Sequence, residues 1–234
     1  MKIEDLQQLI GLGTALVQES CETLFSVLVR PQAFFRAVTL GTTAGLFRAS
    51  RFAALMSVLV LVVQTPVFRL LGIQTESTAY LLTDTVLTYA AWFLYGAIFH
   101  LAARLLRGHG SFQSSVEAFL YLTAFYPVMA FFSLPSSLLA RRLMLQAPDT
   151  FSLGFYQQLA QLLFTSPPAI LSVGLASAVG IYFFGCLVLA VRQVHGFGWV
   201  RGLGAGVLAF LGWLTIGLTV VAPVDQLSQK AFLH

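Results

Sequence analysis

Apolar positions recur along this chain in two different ways. In residues 3–29, Ile3, Leu6, Ile10, Val17, Leu24 and Leu28 return at helical spacing, with Glu4, Gln7, Gln8, Gln18, Glu22 and Ser26 mostly on the other side. That pattern predicts an amphipathic helix that either lies in a membrane interface through apolar burial or packs on the rest of the protein. From Phe52 onward continuous apolar runs take over, at about 52–71, 79–103, 116–140, 169–191 and 203–221. Each is close to the roughly 20 helical residues that cross about 30 Å of hydrocarbon. The expected fold is an all-α integral membrane protein with five transmembrane helices. N-terminal amphipathic, interfacial helices occupy residues 1–48, the membrane domain 49–222 and a short tail 223–234.

Local signals refine this layout. Pro31 suits the first position of a helix, where its missing N–H would be unpaired anyway. Phe34 and Phe35 beside Arg36 read as an interfacial anchor, aromatic side toward lipid and guanidinium toward water. GTTAG at 41–45 reads as a flexible joint. Pro66 is expected to bend the first span, and Pro127 and Pro135 to interrupt the third. FSLGFYQQLAQLLF, between the third and fourth runs, reads as a helix in the far interface, too short and too rich in glutamine to span. Gly174 with Ala178, and Gly202 with Gly206, put small residues four apart, a spacing that lets helices approach closely. Packing within the bundle is the expected use, self-association into a homo-oligomer the alternative.

Composition excludes an ordinary soluble domain. The chain is 58% hydrophobic and 9% charged, where soluble domains carry about 25% charged residues. A net charge of +4 is spread between apolar runs rather than clustered, which argues for membrane orientation and against nucleic acid. With the N-terminus inside, Lys2, Arg30, Arg36, Arg48, Arg51, Arg104, Arg107, Arg192 and Arg201 fall on the inner side, against Arg69, Arg141, Arg142 and Lys230 outside. The expectation is a multi-pass membrane protein, N-terminus cytoplasmic and C-terminus outside. The N-terminus lacks the basic and apolar regions of a cleaved signal peptide. Cys21 and Cys186 read as small apolar residues rather than a disulfide.

Candidate chemistry centres on YGAIFHLAARLLRGHGSFQSSVEAFLYLTAFYP, from Tyr95 to Pro127. His100, Arg104 and Arg107 share a helix face. Gly108 and Gly110 bracket a turn, where left-handed glycines are expected to stop the helix. Ser114 three residues before Glu117 reads as a capping box, with Glu117 also in reach of Arg104. Asp84 is the carboxylate inside a predicted span, placed to cap a helix or to meet Arg69 or Arg141. Asp84, His100, Arg104, Arg107 and Glu117 are thus the candidate lipid, partner or polar-pathway residues. Motifs of zinc hydrolases, nucleophile elbows and P-loops are missing, so no enzyme, cofactor or metal is expected.

Three segments resemble the Yip family, membrane proteins named for interaction with Ypt/Rab GTPases. These are Pro31–Phe34–Phe35 before the first span, the hairpin from His100 and Arg104 through RGHGSF to Tyr121 and Pro127, and LAVRQVHGFGWVRG with Arg192, His195 and Arg201. The resemblance implies five spans, a cytosolic N-terminus and a non-enzymatic role, tied in eukaryotes to vesicle trafficking and membrane shaping. The acidic-tyrosine-glycine-proline motif of eukaryotic members is missing, and the chain looks more like the compact prokaryotic branch, a resemblance that implies a bacterial inner membrane. The expected role is an adaptor or organiser whose partners are membrane lipids and another membrane or cytosolic protein. The alternative is a small transporter, channel or lipid-handling protein with Asp84, His100 and Arg104 in a cavity.

Overall fold

The computed structural model describes residues 3–72, 78–146, 152–224 and 227. Helix α1 (Ile3–Val29) runs to Arg30, and Pro31 occupies the first turn of α2 (Pro31–Ala37). Helix α3 (Thr43–Leu70) continues through Pro66. The remaining helices are α4 (Thr78–Leu105), α5 (Phe112–Leu122), α6 (Phe125–Phe132), α7 (Leu134–Gln146), α8 (Leu153–Thr165), α9 (Pro167–His195) and α10 (Trp199–Ile216), with α10 extended by a π-helical turn, Gly217–Val221. Five stretches are long and apolar enough to cross a bilayer: Thr43–Leu70, Leu82–Leu105, Phe112–Phe132, Pro167–His195 and Trp199–Val224. The protein is a multi-pass integral membrane protein.

The third span is the inner one. Its window is 72% buried within the protein, against 33% or less for each of the others. Helix α5 packs on α3, α4 and α9, and α6 continues against α3 and α9. The core between them is aromatic: Phe119 meets Trp213 at 5.1 Å, and Phe125 and Tyr126 meet Phe183 at 5.6 and 6.2 Å. Alternating span direction gathers the start of α3, the end of α4, the start of α5, the end of α9 and the start of α10 at one end of the bundle. Helices α7 and α8 lie at the other.

Several expectations need correction. The third span does not run to Ala140. The helix breaks at Thr123–Ala124 and again at Ser133. Pro127 and Pro135 each lack the N–H that would continue the ladder. Tyr126 N–H takes up the Thr123 carbonyl that Pro127 leaves open, at 3.0 Å, and at the second break the Ser172 hydroxyl of α9 accepts from Ser136 N–H at 3.3 Å and donates to the Phe132 carbonyl at 2.8 Å. The GTTAG stretch is a helix start rather than a joint. The Thr42 hydroxyl accepts from Gly45 N–H at 3.0 Å and caps α3.

Phe34 and Phe35 do not point into lipid. Phe35 is 2% exposed in the core, and Phe34 packs edge-on to Tyr121 at 5.0 Å. Burial inside the bundle removes their apolar surface from water as effectively as lipid would.

The small residues divide. A Cβ on Gly202 would lie 2.9 Å from Cδ of Arg192, and one on Gly206 3.0 Å from Cγ2 of Val188, so both let α10 approach α9. A Cβ on Gly174 would meet nothing within 4 Å, and Gly174 and Ala178 are both exposed. That pair does not pack the bundle. Accordingly, Gly206→Leu should cost about 1–3 kcal/mol by overpacking and lower the thermal midpoint in detergent. Gly174→Leu should leave stability within about 0.5 kcal/mol of the parent.

Candidate functional site

At the gathered end, α4 stops at a turn whose left-handed residue is Arg107, with φ of 64°. Arg107 N–H bonds the Arg104 carbonyl at 2.9 Å, and Gly108 N–H reaches back to the Ala103 carbonyl at 2.9 Å. This is a Schellman stop with arginine in the position glycine usually takes. The Arg104 guanidinium closes it by donating to the Gly108 carbonyl at 3.0 Å, so Arg104 is turned away from Glu117.

Gly108 and Gly110 serve another purpose than the one expected. A Cβ on either would sit 2.6 or 2.9 Å from Nδ1 of His195. They are glycines because the end of α9 lies against the turn. Gly110 N–H donates to His195 Nδ1 at 3.0 Å, which leaves the ring proton on Nε2. Nε2 faces the Ser115 hydroxyl at 3.0 Å, and His100 Nδ1 faces the same oxygen at 2.9 Å. The Ser115 hydroxyl donates to the Ser111 carbonyl at 2.8 Å. One hydroxyl thus gives one hydrogen bond and accepts two, its full capacity. Ser115 is 0% and His195 2% exposed, and Phe197 stacks on the His195 ring at 5.7 Å.

This clasp ties α4, α5 and α9, and two of its members, Ser115 and His195, are buried with no water to turn to. An unpaired polar group there would cost about 1–3 kcal/mol. His195 already carries a proton on the nitrogen facing Ser115, so it has no base to offer there.

Glu117, two residues on, joins α5 to α3. The helix α5 is capped by Ser111, whose hydroxyl accepts from Ser114 N–H at 3.0 Å, so the expected Ser114–Glu117 capping box does not form. Glu117 is 0% exposed and its Oε2 accepts from Gly41 N–H at 2.8 Å. Gly41 has φ of 89°, a conformation that suits glycine. Oε1 has no hydrogen-bond partner among the described residues and rests against Gly45, where a Cβ would collide with it. The carboxylate therefore stands at the positive end of the α3 dipole, in the position an anion favours. Beside it, Arg48 pairs with Glu19 of α1 at 3.3 Å, an exposed contact that contributes little.

Asp84 stands apart. It is separated from His100 along the same helix, α4, by about 24 Å at 1.5 Å per residue. It lines a cavity of about 350 Å³ with Gln64 and Arg141, and Arg141 donates to Gln64 Oε1 at 3.0 Å and lies 4.8 Å over the Phe68 ring. Of the candidate residues, His100 enters the clasp, Arg104 closes its turn, Glu117 caps a neighbouring helix, and Arg107 and Asp84 lie outside it. Ser115 and Gly41 were missed because each looks like an ordinary loop or cap residue. Only the paired glycines of RGHG hint that a ring lies close. Among the described residues, no group of three or more His, Cys, Asp or Glu is arranged to hold a metal.

The clasp fastens the α4–α5 turn to the α9–α10 turn, and Phe34 reaches Tyr121 of the same α5. The three segments that carry the Yip resemblance thus converge on one helix. The family model of the Yip1 domain matches residues 25–221. The chain belongs to the Yip1 family. No curated protein and no solved structure matches it. The Yip1 match begins within α1 and takes in the first four spanning stretches and all but the end of the fifth.

Ser115→Ala removes the shared partner of two imidazoles and should cost about 1–3 kcal/mol, read as a lower thermal midpoint. Arg107→Gly relieves a left-handed arginine and should raise stability by up to about 1 kcal/mol.

Proposed function

We propose that this Yip1-family protein is a non-enzymatic organiser that anchors a protein partner at the cytoplasmic face of a bacterial inner membrane. The observation that carries this reading is the fate of the polar side chains inside the spans. Ser115 and His195 are bonded to one another and to backbone groups, His100 bonds Ser115 through Nδ1, and Asp84 lies about 24 Å away along α4. They do not share the continuous polar route that a transported ion or solute needs. Helix α1 supports the other half of the reading. It leans on the bundle through Val27, Leu24 and Leu28, and the Tyr182 hydroxyl donates to the Leu28 carbonyl at 2.8 Å. Its Val17, Phe25 and Val29 remain 51%, 61% and 54% exposed, an apolar stripe for a partner helix or lipid. The excess of arginine at the clasp end favours the cytoplasm for that end, with the C-terminus across the membrane.

The transport reading keeps one favourable observation, the cavity that holds Asp84, Gln64 and Arg141. Reconstitution separates the two. Vesicles containing the full chain should conduct protons and small ions no faster than empty vesicles, and a photo-crosslinker at Phe25 should capture a defined protein partner in native membranes. Flux that is abolished by Asp84→Asn or His100→Ala in variants of normal abundance would overturn the organiser.

A further inference from the structure

A second polar feature lies beside the clasp and faces outward. Helix α2 rests on the end of α9, and between them a pocket of about 320 Å³ is lined by Gln32, Phe35, Arg36, Arg192, Gln193 and Phe197, with Leu189 and Gly196 completing it. We propose that this pocket binds the phosphate of an anionic phospholipid headgroup.

The argument starts with Arg192. Its Nε donates to the Phe197 carbonyl at 3.2 Å, and its guanidinium lies 3.7 Å over the Trp199 ring. Its stem is pinned against Gly202. The plane is fixed on two sides, while neither terminal nitrogen has a partner among the described residues. A guanidinium held this way has already lost its rotamer freedom on folding, so a phosphate gains a forked pair of donors at little further entropic cost. Arg36, on the last turn of α2, adds a second cation that likewise has no partner among the described residues. No carboxylate lines the pocket. Two cations facing one cavity repel each other, and a bound anion relieves that repulsion. Gln32 and Gln193 supply amide groups for ester oxygens or glycerol hydroxyls, and the volume falls at the low end of the roughly 300–1,000 Å³ of small-molecule sites.

Free phosphate and a lipid headgroup share this chemistry. The surroundings favour the lipid. Trp199, Val200 and Leu203, on the opening turns of a spanning helix, are 63%, 86% and 51% exposed. Apolar surface of that size beside an anion site matches a ligand with a phosphate and acyl chains. Trp199 stacked on a cation also suits the headgroup level, where tryptophan concentrates.

The test uses the full chain in neutral detergent, with thermal midpoint and native mass spectrometry as readouts. Added phosphatidylglycerol should raise the midpoint and appear as a bound adduct, whereas phosphatidylcholine and inorganic phosphate should not. Arg36→Gln should weaken the phosphatidylglycerol response about tenfold, the loss expected for a charge-assisted contact. Arg192→Gln should weaken it at least as much, and Arg36→Gln serves alone if Arg192→Gln fails to fold, since Arg36 is exposed. Arg51→Gln, which removes the same charge elsewhere at that end, should leave the response intact. An equal response to inorganic phosphate would make this a soluble-anion site and overturn the lipid assignment. Equal responses in Arg36→Gln and the parent, an equal loss in Arg51→Gln, or an equal response to phosphatidylcholine would overturn the site itself. The pocket does not depend on the partner-binding reading of α1, so failure of one leaves the other standing.

Discussion

Ser115 and Glu117 lie two residues apart on the helix that the other spans surround, and neither reaches solvent. A hydroxyl and a carboxylate in that position must find partners inside the protein, and each partner comes from a different element. His195 comes from the end of α9, His100 from α4, and Gly41 from the approach to α3. The rest of the gathered end follows from that requirement. Gly108 and Gly110 are small so that His195 can come close, Gly45 is small so that Glu117 can, and Gly41 takes a left-handed turn to aim its N–H at the carboxylate. Apolar packing brings the helices together, but it is non-directional. The polar groups on α5 fix which turn meets which.

The same geometry links the closed clasp to the open pocket. Arg192 and His195 are one turn apart on α9. Phe197 stacks on the imidazole while its carbonyl takes Arg192 Nε. A ligand on Arg192 therefore bears on a turn whose other face holds the clasp, and the α9–α10 connection serves both the interior and the membrane surface. The proposed organiser role draws on this arrangement, in which the interior polar groups are paired and Arg36 and Trp199 are left at the rim.

The spans were readable in the sequence because length and hydropathy are properties of a segment by itself. The amphipathic α1 and five spans are found where hydropathy puts them, although the first begins earlier than expected and the third stops short of its apolar run. What sequence could not give was partner choice. Glu117 follows Ser114 at capping-box spacing, yet the true cap is Ser111 and the carboxylate goes to another helix, because burial gives it a dipole end 76 residues away in sequence. Phe34 and Phe35 have the composition of a lipid anchor and instead fill the core, since nothing local distinguishes a lipid chain from an aromatic neighbour. The glycines of RGHG were rightly seen as significant for the wrong reason: conformational freedom is needed at Arg107, and space is needed at Gly108 and Gly110. Gly174 and Gly202 carry equivalent small-residue spacing, and only the fold separates the one that packs from the one that faces out.

The protonation pattern of the His195 ring is the most direct measure of the clasp. Heteronuclear NMR of the full chain in nanodiscs at neutral pH reads the two ring nitrogens separately. The account requires a neutral ring with the proton on Nε2 and a bare Nδ1 accepting from Gly110. A ring protonated on Nδ1, or charged, would leave the Gly110 N–H facing another donor, and the clasp as described would not exist.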